Sequence, residues 1–199
     1  MTAVDVKRIC VFAGSSSGSN VAHHDAAVAL AEALAERGFE LVYGGGCVGL
    51  MGVLADAMLA RGGRVIGVIP HTLMVREVGH RGLTELKVVD SMHERKALMA
   101  ELSDGFIALP GGFGTLEELF EILTWAQLGL HGRPCGVLNI AGYYDALLQF
   151  LDHAHDEAFV RAQHRSMLLV ADDPRDLLDE FERYRAPTTE KWLQRSAQT

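Results

Sequence analysis

The chain has 199 residues, a size that suits one α/β domain with a sizeable buried core. Its formal net charge of −8 argues against a general nucleic-acid surface, so any phosphate site must be local. No apolar run is long enough to span a membrane, the segment 1–8 has no apolar signal core, and Cys10, Cys47 and Cys135 lack CxxC spacing. We therefore expect a cytoplasmic protein without a zinc ribbon.

The first predicted strand, residues 8–13, leads into the turn GSSSGSN at 14–20. Asn20 is the expected N-cap of an alanine-rich helix over 21–37. The turn lacks the P-loop pattern, but its hydroxyl and amide groups can hold a phosphate or ribose. Plain loop and cap chemistry is the equally good alternative.

A second glycine turn follows the next strand. Gly44, Gly46 and Gly49 have G-x-G-x-x-G spacing, which is typical of dinucleotide-binding folds. Such folds also place an acidic residue about 20 positions further on, at the end of the following strand. That strand ends in Pro70, so we reject NAD as the ligand. We expect the glycines to let a mononucleotide approach the strand ends.

Charged residues mark two further segments. The loop 71–83 is long for a crossover and is a candidate cover for an active site, although charged loops are usually only solvated. Ser91 and Glu94 predict a capping box. Arg95 and Lys96 come directly after it, where cations oppose the helix dipole. An anion to be bound would justify this arrangement, and two solvated cations offset by Glu94 are the alternative.

The sequence PGGFGTLEELFE, residues 110–121, joins a buried strand to a helix. Its glycines let backbone amides close on an anion, and the helix start adds unpaired amides and the positive end of the dipole. Glu117 and Glu118 stand beside this turn. They are candidates for chemistry on a bound phosphate ester. A capping box from Thr115 to Glu118 explains the local pattern equally well.

Alternating strands and helices predict an α/β fold with a doubly wound, Rossmann-like parallel sheet in a single domain, residues 1–185. A polar tail, 186–199, is expected to be disordered. The helix from Thr115 has more apolar surface than one face needs, through Ile122, Trp125 and Ala126, which favours a homodimer. The other predicted elements are strands 40–43, 64–69, 86–89, 106–109, 134–139 and 167–170, and helices 50–61, 115–128, 144–155 and 174–184.

The chain resembles the Lonely Guy family of cytokinin riboside 5′-monophosphate phosphoribohydrolases, some of which carry the older label lysine decarboxylase. PGGFGTLEE matches the family signature PGGxGTxxE. AGSSSG, YGGGCVGLMG, MHERKALM and ILTWAQLG follow the family's order and spacing. The likeness covers residues 8–181.

The resemblance implies hydrolysis of the N-glycosidic bond of N6-substituted adenosine 5′-monophosphates and of AMP, giving free base and ribose 5-phosphate. It implies Arg95 and Glu118 as catalytic residues, and it leaves open whether Arg95 faces the phosphate or the departing base. The alternative is a non-catalytic nucleotide-binding sensor or carrier on the same fold. Retention of both Arg95 and Glu118 favours the enzyme.

We expect no cofactor and no metal, because the histidines form no HExxH motif and a pyridoxal enzyme needs a Schiff-base lysine, for which only Lys96 lies near the site. The turn 111–115 is expected to hold the 5′-phosphate. The family's motif positions imply that the substrate is contacted by Ser15, Gly45, Glu77, Met92, Arg95, Lys96, Gly111, Gly112, Phe113, Gly114, Thr115, Leu116, Glu117, Glu118 and Thr124.

Overall fold

The structure, a computed structural model, describes residues 6–74 and 79–187. The strands of this part of the chain are β1 (Arg8–Phe12), β2 (Glu40–Tyr43), β3 (Val65–Pro70), β4 (Glu85–Val89), β5 (Gly105–Ala108), β6 (Cys135–Leu138) and β7 (Leu168–Ala171). The helices are α1 (Val21–Glu36), α2 (Gly49–Ala60), α3 (His71–Met74), α4 (Met92–Glu101), α5 (Phe113–Gln127), α6 (Asp145–Asp156), α7 (Ala162–Arg165) and α8 (Pro174–Arg183), with a 3-10 turn at Ile140–Gly142.

The seven strands form one parallel sheet in the order β4-β3-β2-β1-β5-β6-β7, which confirms the predicted doubly wound fold. The chain winds outward from β1 to β4, returns to place β5 beside β1, and then winds outward on the other side. Phe12 pairs with Ala108, so β1 and β5 end at the same level. The order of strands reverses between them, and such a switch point leaves a crevice for ligands.

Two apolar layers cover the faces of the sheet. Side chains alternate along β1, so Ile9 and Val11 enter the layer beneath α1, α2 and α8, while Cys10 and Phe12 enter the layer beneath α4, α5 and α6. The second layer also takes Ile122, which is only 3% exposed. The expectation that Ile122 adds to an outer apolar surface is therefore wrong, because the sheet face is wide enough to cover it.

Local signals in the sequence set several helix starts. The amide of Ala22 donates to Asn20 Oδ1 at 3.0 Å, as the predicted N-cap requires. The amide of Glu94 donates to Ser91 Oγ at 3.1 Å, and Glu94 Oε2 accepts from the amide of Asp90 at 2.9 Å. These contacts fix the start of α4 beside the crevice.

Some expectations concern residues outside the described ranges. The loop predicted as a cover begins with the short helix α3, and its next residues, 75–78, lie outside them. The predicted tail lies outside them from residue 188 onward. Across both described segments, no helix combines the length and the apolar character that a bilayer span requires.

Candidate active site

A cavity of about 270 Å³ lies at the switch point, between the loops that follow β1 and β5. Its wall combines the end of β1 with parts of α2, α3, α4 and α5. The residues that the sequence predicted and that line it are Ser15, Arg95, Gly112, Phe113, Gly114, Thr115 and Glu118. The cavity thus brings together two glycine turns, a cation and a carboxylate.

Arg95, the fourth residue of α4, is only 9% exposed. Its Nε donates to the carbonyl of Val68 at 3.1 Å, and its Nη2 donates to the carbonyl of Gly44 at 3.3 Å. Its Nη1 lies 3.3 Å from Glu118 Oε1. The alternative of a solvated cation is therefore wrong, because two strand ends and α5 hold the guanidinium inside the cavity.

Glu118 lies in the second turn of α5 and is 8% exposed. The N-cap of α5 is Gly112, and no side chain caps the helix. The capping-box alternative is wrong, because the N-cap lies three residues before Thr115, which is already helical. Burial raises the pKa of Glu118, and the nearby guanidinium of Arg95 opposes that rise. The carboxyl group can therefore exchange a proton closer to neutral pH.

The glycines after β2 serve packing within the chain. A Cβ on Gly44 would lie 2.0 Å from Arg95 Nη2, so this glycine makes room for the guanidinium. Gly49 has φ +60°, and a Cβ there would lie 2.3 Å from the carbonyl carbon of Ser15. Gly44 lines the cavity, and Gly49 lets the start of α2 pack closely against the turn that follows β1.

The start of α5 offers space and unpaired amides. The amide of Leu116 bonds to the carbonyl of Gly112 at 3.1 Å, so the preceding amides have no partner within the helix. A Cβ on Gly112 or Gly114 would meet no atom within 4 Å. The fold therefore does not require glycine at these two positions, and the open space beside them suits an anion.

Lys96 does not line the cavity. Its Nζ lies 2.5 Å from Glu117 Oε1 and 3.0 Å from Glu121 Oε1, and its side chain is 11% exposed. The hydrogen bond that Lys96 Nζ donates to Glu117 raises the pKa of Lys96, which favours the protonated ammonium. The alternative of a solvated cation is thus wrong for Lys96 too. Lys96 and Glu117 join α4 to α5 behind the Arg95–Glu118 pair.

Several residues that were predicted to contact the substrate do not line this cavity. Thr124 donates to the carbonyl of Phe120 at 2.7 Å and lines a separate groove of about 100 Å³. Glu77 lies outside the described residues. The predicted contacts that do not line the cavity are Gly45, Met92, Lys96, Gly111, Leu116, Glu117 and Thr124, and their role toward substrate stays a prediction.

Sequence reasoning missed several residues around the cavity. Met51 from α2 and Leu73 from α3 line it, and neither belongs to a motif with obvious chemistry. Tyr143 and Tyr144 donate to the carbonyls of the turn before α5. Two tyrosines just beyond β6, the neighbour of β5, were an available signal, because the carboxyl ends of parallel strands share one edge.

Comparisons with known proteins show which proteins this chain is similar to. The family model described as possible lysine decarboxylase matches residues 51–181. A cytokinin riboside 5′-monophosphate phosphoribohydrolase of Arabidopsis thaliana is 51% identical over 185 residues, which are 93% of this chain and 86% of that protein. A probable enzyme of the same name from Oryza sativa subsp. japonica is also 51% identical over 185 residues, 93% of this chain and 75% of that protein.

Solved structures share the fold at lower identity. The molybdenum cofactor binding protein of Rippkaea orientalis has a TM-score of 0.66 at 22% identity, covering 87% of this chain and 94% of that one. The molybdenum cofactor carrier protein of Chlamydomonas reinhardtii has a TM-score of 0.64 at 20% identity, covering 87% of this chain and 99% of that one. At this identity the likeness shows the fold alone.

Proposed function

We propose a phosphoribohydrolase activity for this chain, which belongs to the family described as possible lysine decarboxylase and is about half identical to cytokinin riboside 5′-monophosphate phosphoribohydrolases. The proposed reaction hydrolyses the N-glycosidic bond of N6-substituted adenosine 5′-monophosphates and of AMP. Its products are the free base and ribose 5-phosphate. The observation that carries the proposal is the buried pair of Arg95 and Glu118 on the wall of the switch-point cavity.

The carboxylate of Glu118 is proposed to act at the sugar. As the bond between C1′ and the base nitrogen breaks, positive charge develops on the ribose, and a nearby carboxylate stabilises it. Water adds to C1′ and gives up a proton, which Glu118 can accept because its pKa is raised. The departing base takes up a proton from solvent as it leaves, and Glu118 afterwards returns its proton to solvent, so the net reaction consumes one water. Arg95 Nη1 lies 3.3 Å from Glu118 Oε1, so the guanidinium holds this carboxylate in place and balances its negative charge.

The start of α5 is proposed to hold the 5′-phosphate. The unpaired amides of the first turn, the helix dipole and the open space beside Gly112 and Gly114 all favour an anion there. The phosphate anchor places the ribose between this turn and Glu118. Phe113, 93% exposed at the rim of the cavity, is available to contact the substrate.

Two other functions fit less well. Pyridoxal chemistry, which the family description suggests, needs a neutral lysine amine to form a Schiff base. Lys96 is held as an ammonium by Glu117 and Glu121 and does not line the cavity, so the residues present do not fit pyridoxal phosphate. The molybdenum cofactor binding and carrier proteins share this fold, but they are only 20–22% identical to this chain in sequence.

The proposal includes a homodimer and a reducing compartment. Large apolar side chains stay exposed at Met92 in α4 and at Leu128 and Leu130 beyond α5, which supports association through this side of the sheet. Cys10 and Cys135 are buried free thiols, which supports a role in the cytoplasm.

Base release from purified protein tests the activity. We expect chromatography to show free base and ribose 5-phosphate from an N6-substituted AMP and from AMP, with chelator present and pyridoxal phosphate absent. Adenosine should react far more slowly, because it lacks the phosphate anchor. Tight binding of AMP without base release would identify a carrier instead, and equal rates on AMP and adenosine would remove the phosphate from the α5 turn.

A further inference from the structure

Three successive carbonyl groups precede α5, and each one accepts a hydrogen bond from a different residue. The hydroxyl of Tyr144 donates to the carbonyl of Leu109 at 2.7 Å. The amide of Gly14 donates to the carbonyl of Pro110 at 3.3 Å. The hydroxyl of Tyr143 donates to the carbonyl of Gly111 at 2.6 Å. These three hydrogen bonds to its carbonyl oxygens hold the turn in place.

This arrangement decides which backbone groups face a ligand. Carbonyl oxygens carry partial negative charge and repel an anion, whereas amides attract it. With the carbonyl of Gly111 fixed by Tyr143, the peptide plane between Gly111 and Gly112 cannot turn that oxygen toward the anion. The amides that open α5 are left free for the ligand.

The Tyr143 ring is itself held in place. It meets the ring of His23 from α1 edge-on at 5.5 Å and the ring of Tyr144 edge-on at 5.0 Å. Tyr144 is buried, whereas Tyr143 is 45% exposed. The exposed tyrosine thus gains little from burial and is kept in one orientation by two ring contacts and one short hydrogen bond.

A strained turn presents the two tyrosines. Ala141 has φ 51° and ψ 33°, a left-handed conformation that residues with a Cβ rarely adopt, and Gly142 follows with φ 69°. Asn139 Oδ1 accepts from the amide of Tyr144 at 2.7 Å, and Asn139 Nδ2 donates to Asp145 Oδ1 at 2.7 Å. Backbone strain of this kind persists where its surroundings enforce it and is concentrated at functional sites.

We propose that Tyr143 is a positioning residue for the 5′-phosphate of the substrate, acting through the carbonyl of Gly111. The inference rests on the proposed function, because it assumes that the α5 turn binds the phosphate. Tyr143 does not touch the reacting atoms. It orients the amides that bind the anion. Without it, the 5′-phosphate should add less to the affinity of the substrate.

The variant Tyr143→Phe tests this role with one oxygen removed. Both Tyr143 forms carry Glu118→Gln, which blocks turnover of AMP, and calorimetry then measures their affinities for AMP and for adenosine. We expect the affinity for AMP to fall about 2- to 10-fold, the effect of one lost hydrogen bond. The affinity for adenosine should be unchanged, so the ratio of the two affinities falls. Tyr184→Phe, the same change at a tyrosine beyond α8, should leave the ratio unchanged.

A second variant and the choice of readout keep the test decisive. His23→Leu removes the edge contact that orients the Tyr143 ring and should lower the same ratio while the hydroxyl is still present. A structural role alone would weaken AMP and adenosine equally, and an unchanged ratio in both variants would overturn the proposal.

Binding is measured in the Glu118→Gln background, where turnover is blocked. A preference for AMP in that background, with no base release by the wild type, would therefore refute only the hydrolase. Equal affinities for AMP and adenosine in that background with Tyr143 intact would overturn the positioning role.

Discussion

Arg95 and Glu118 carry opposite charges and are both more than nine-tenths buried, so contacts inside the protein have to replace the water that each has lost. For Arg95, two backbone carbonyls and the carboxylate of Glu118 take the place of the lost water. Glu118 is compensated less fully, since its pKa is raised although the guanidinium is close. An ionisable group held at such a cost on a cavity wall is typical of a group that reacts.

We expect Glu118→Gln to separate chemistry from structure. The amide keeps the shape of the side chain and an oxygen that accepts from Arg95, so the melting temperature should change little. The loss of a charged acid–base group should lower single-turnover base release by about 10²–10⁴-fold. Glu94→Gln, which keeps the cap of α4 and lies outside the cavity wall, is the matched control and should be silent in both measurements. Normal turnover in Glu118→Gln would return this residue to a structural role.

The raised pKa of Glu118 also predicts how stability depends on pH. The folded protein holds this proton more tightly than the unfolded chain, so ionisation of Glu118 costs stability as pH rises from about 4.3 through the raised value. Glu118→Gln lacks this titration. Urea unfolding from pH 4 to pH 8 should therefore show the variant gaining stability relative to the wild type and then levelling off. A relative loss with rising pH would mean that the ion pair lowers the pKa.

At the scale of elements, the start of α5 is where function and helix stability conflict. Glycine within a helix costs about 0.5–1 kcal/mol relative to alanine, and a Cβ on Gly114 meets nothing within 4 Å. Gly114→Ala should thus preserve or raise the melting temperature. The same methyl group enters the space proposed for the phosphate, so KM for AMP should rise while kcat changes less.

Gly52 in α2 provides the contrast for this test. A Cβ there would lie 2.2 Å from the carbonyl oxygen of Cys47, so Gly52→Ala should destabilise the fold by about 1–3 kcal/mol, as overpacking does. Gly114→Ala with a normal KM for AMP would show that the phosphate does not bind beside this residue.

The sequence predicted the elements well, because apolar runs and glycine turns report local structure directly. It left the start of α5 open, since Thr115 and Glu118 fit a capping box on local spacing and only the tertiary pairing with Arg95 decides between the readings. The burial of Arg95 was likewise beyond local analysis. Its partners Val68 and Gly44 lie 27 and 51 residues away along the chain.

At the scale of the whole molecule, the sheet order explains why distant motifs meet. The loops after β1 and β5 are neighbours only because β5 pairs with β1. No local sequence pattern predicts that pairing. The same sheet buries Ile122, while Trp125 stays half-buried and Met92 stays exposed. The apolar surface that we propose for a homodimer is therefore narrower than the sequence suggested, and we place it on the outer sides of α4 and α5.

We expect the wild-type protein to sediment as a dimer at micromolar concentration, because the apolar side chains on this surface gain by mutual burial. Trp125→Glu should shift the sedimentation coefficient toward the monomer, since a charge in a dimer interface without a partner is costly. Val21→Glu makes the same kind of change at an exposed apolar residue of α1, on the opposite face of the sheet, and should leave the dimer intact. Melting curves check that both variants fold. A wild-type chain that sediments as a monomer would rule out the dimer. A dimer that survives Trp125→Glu but dissociates with Val21→Glu would place the interface elsewhere.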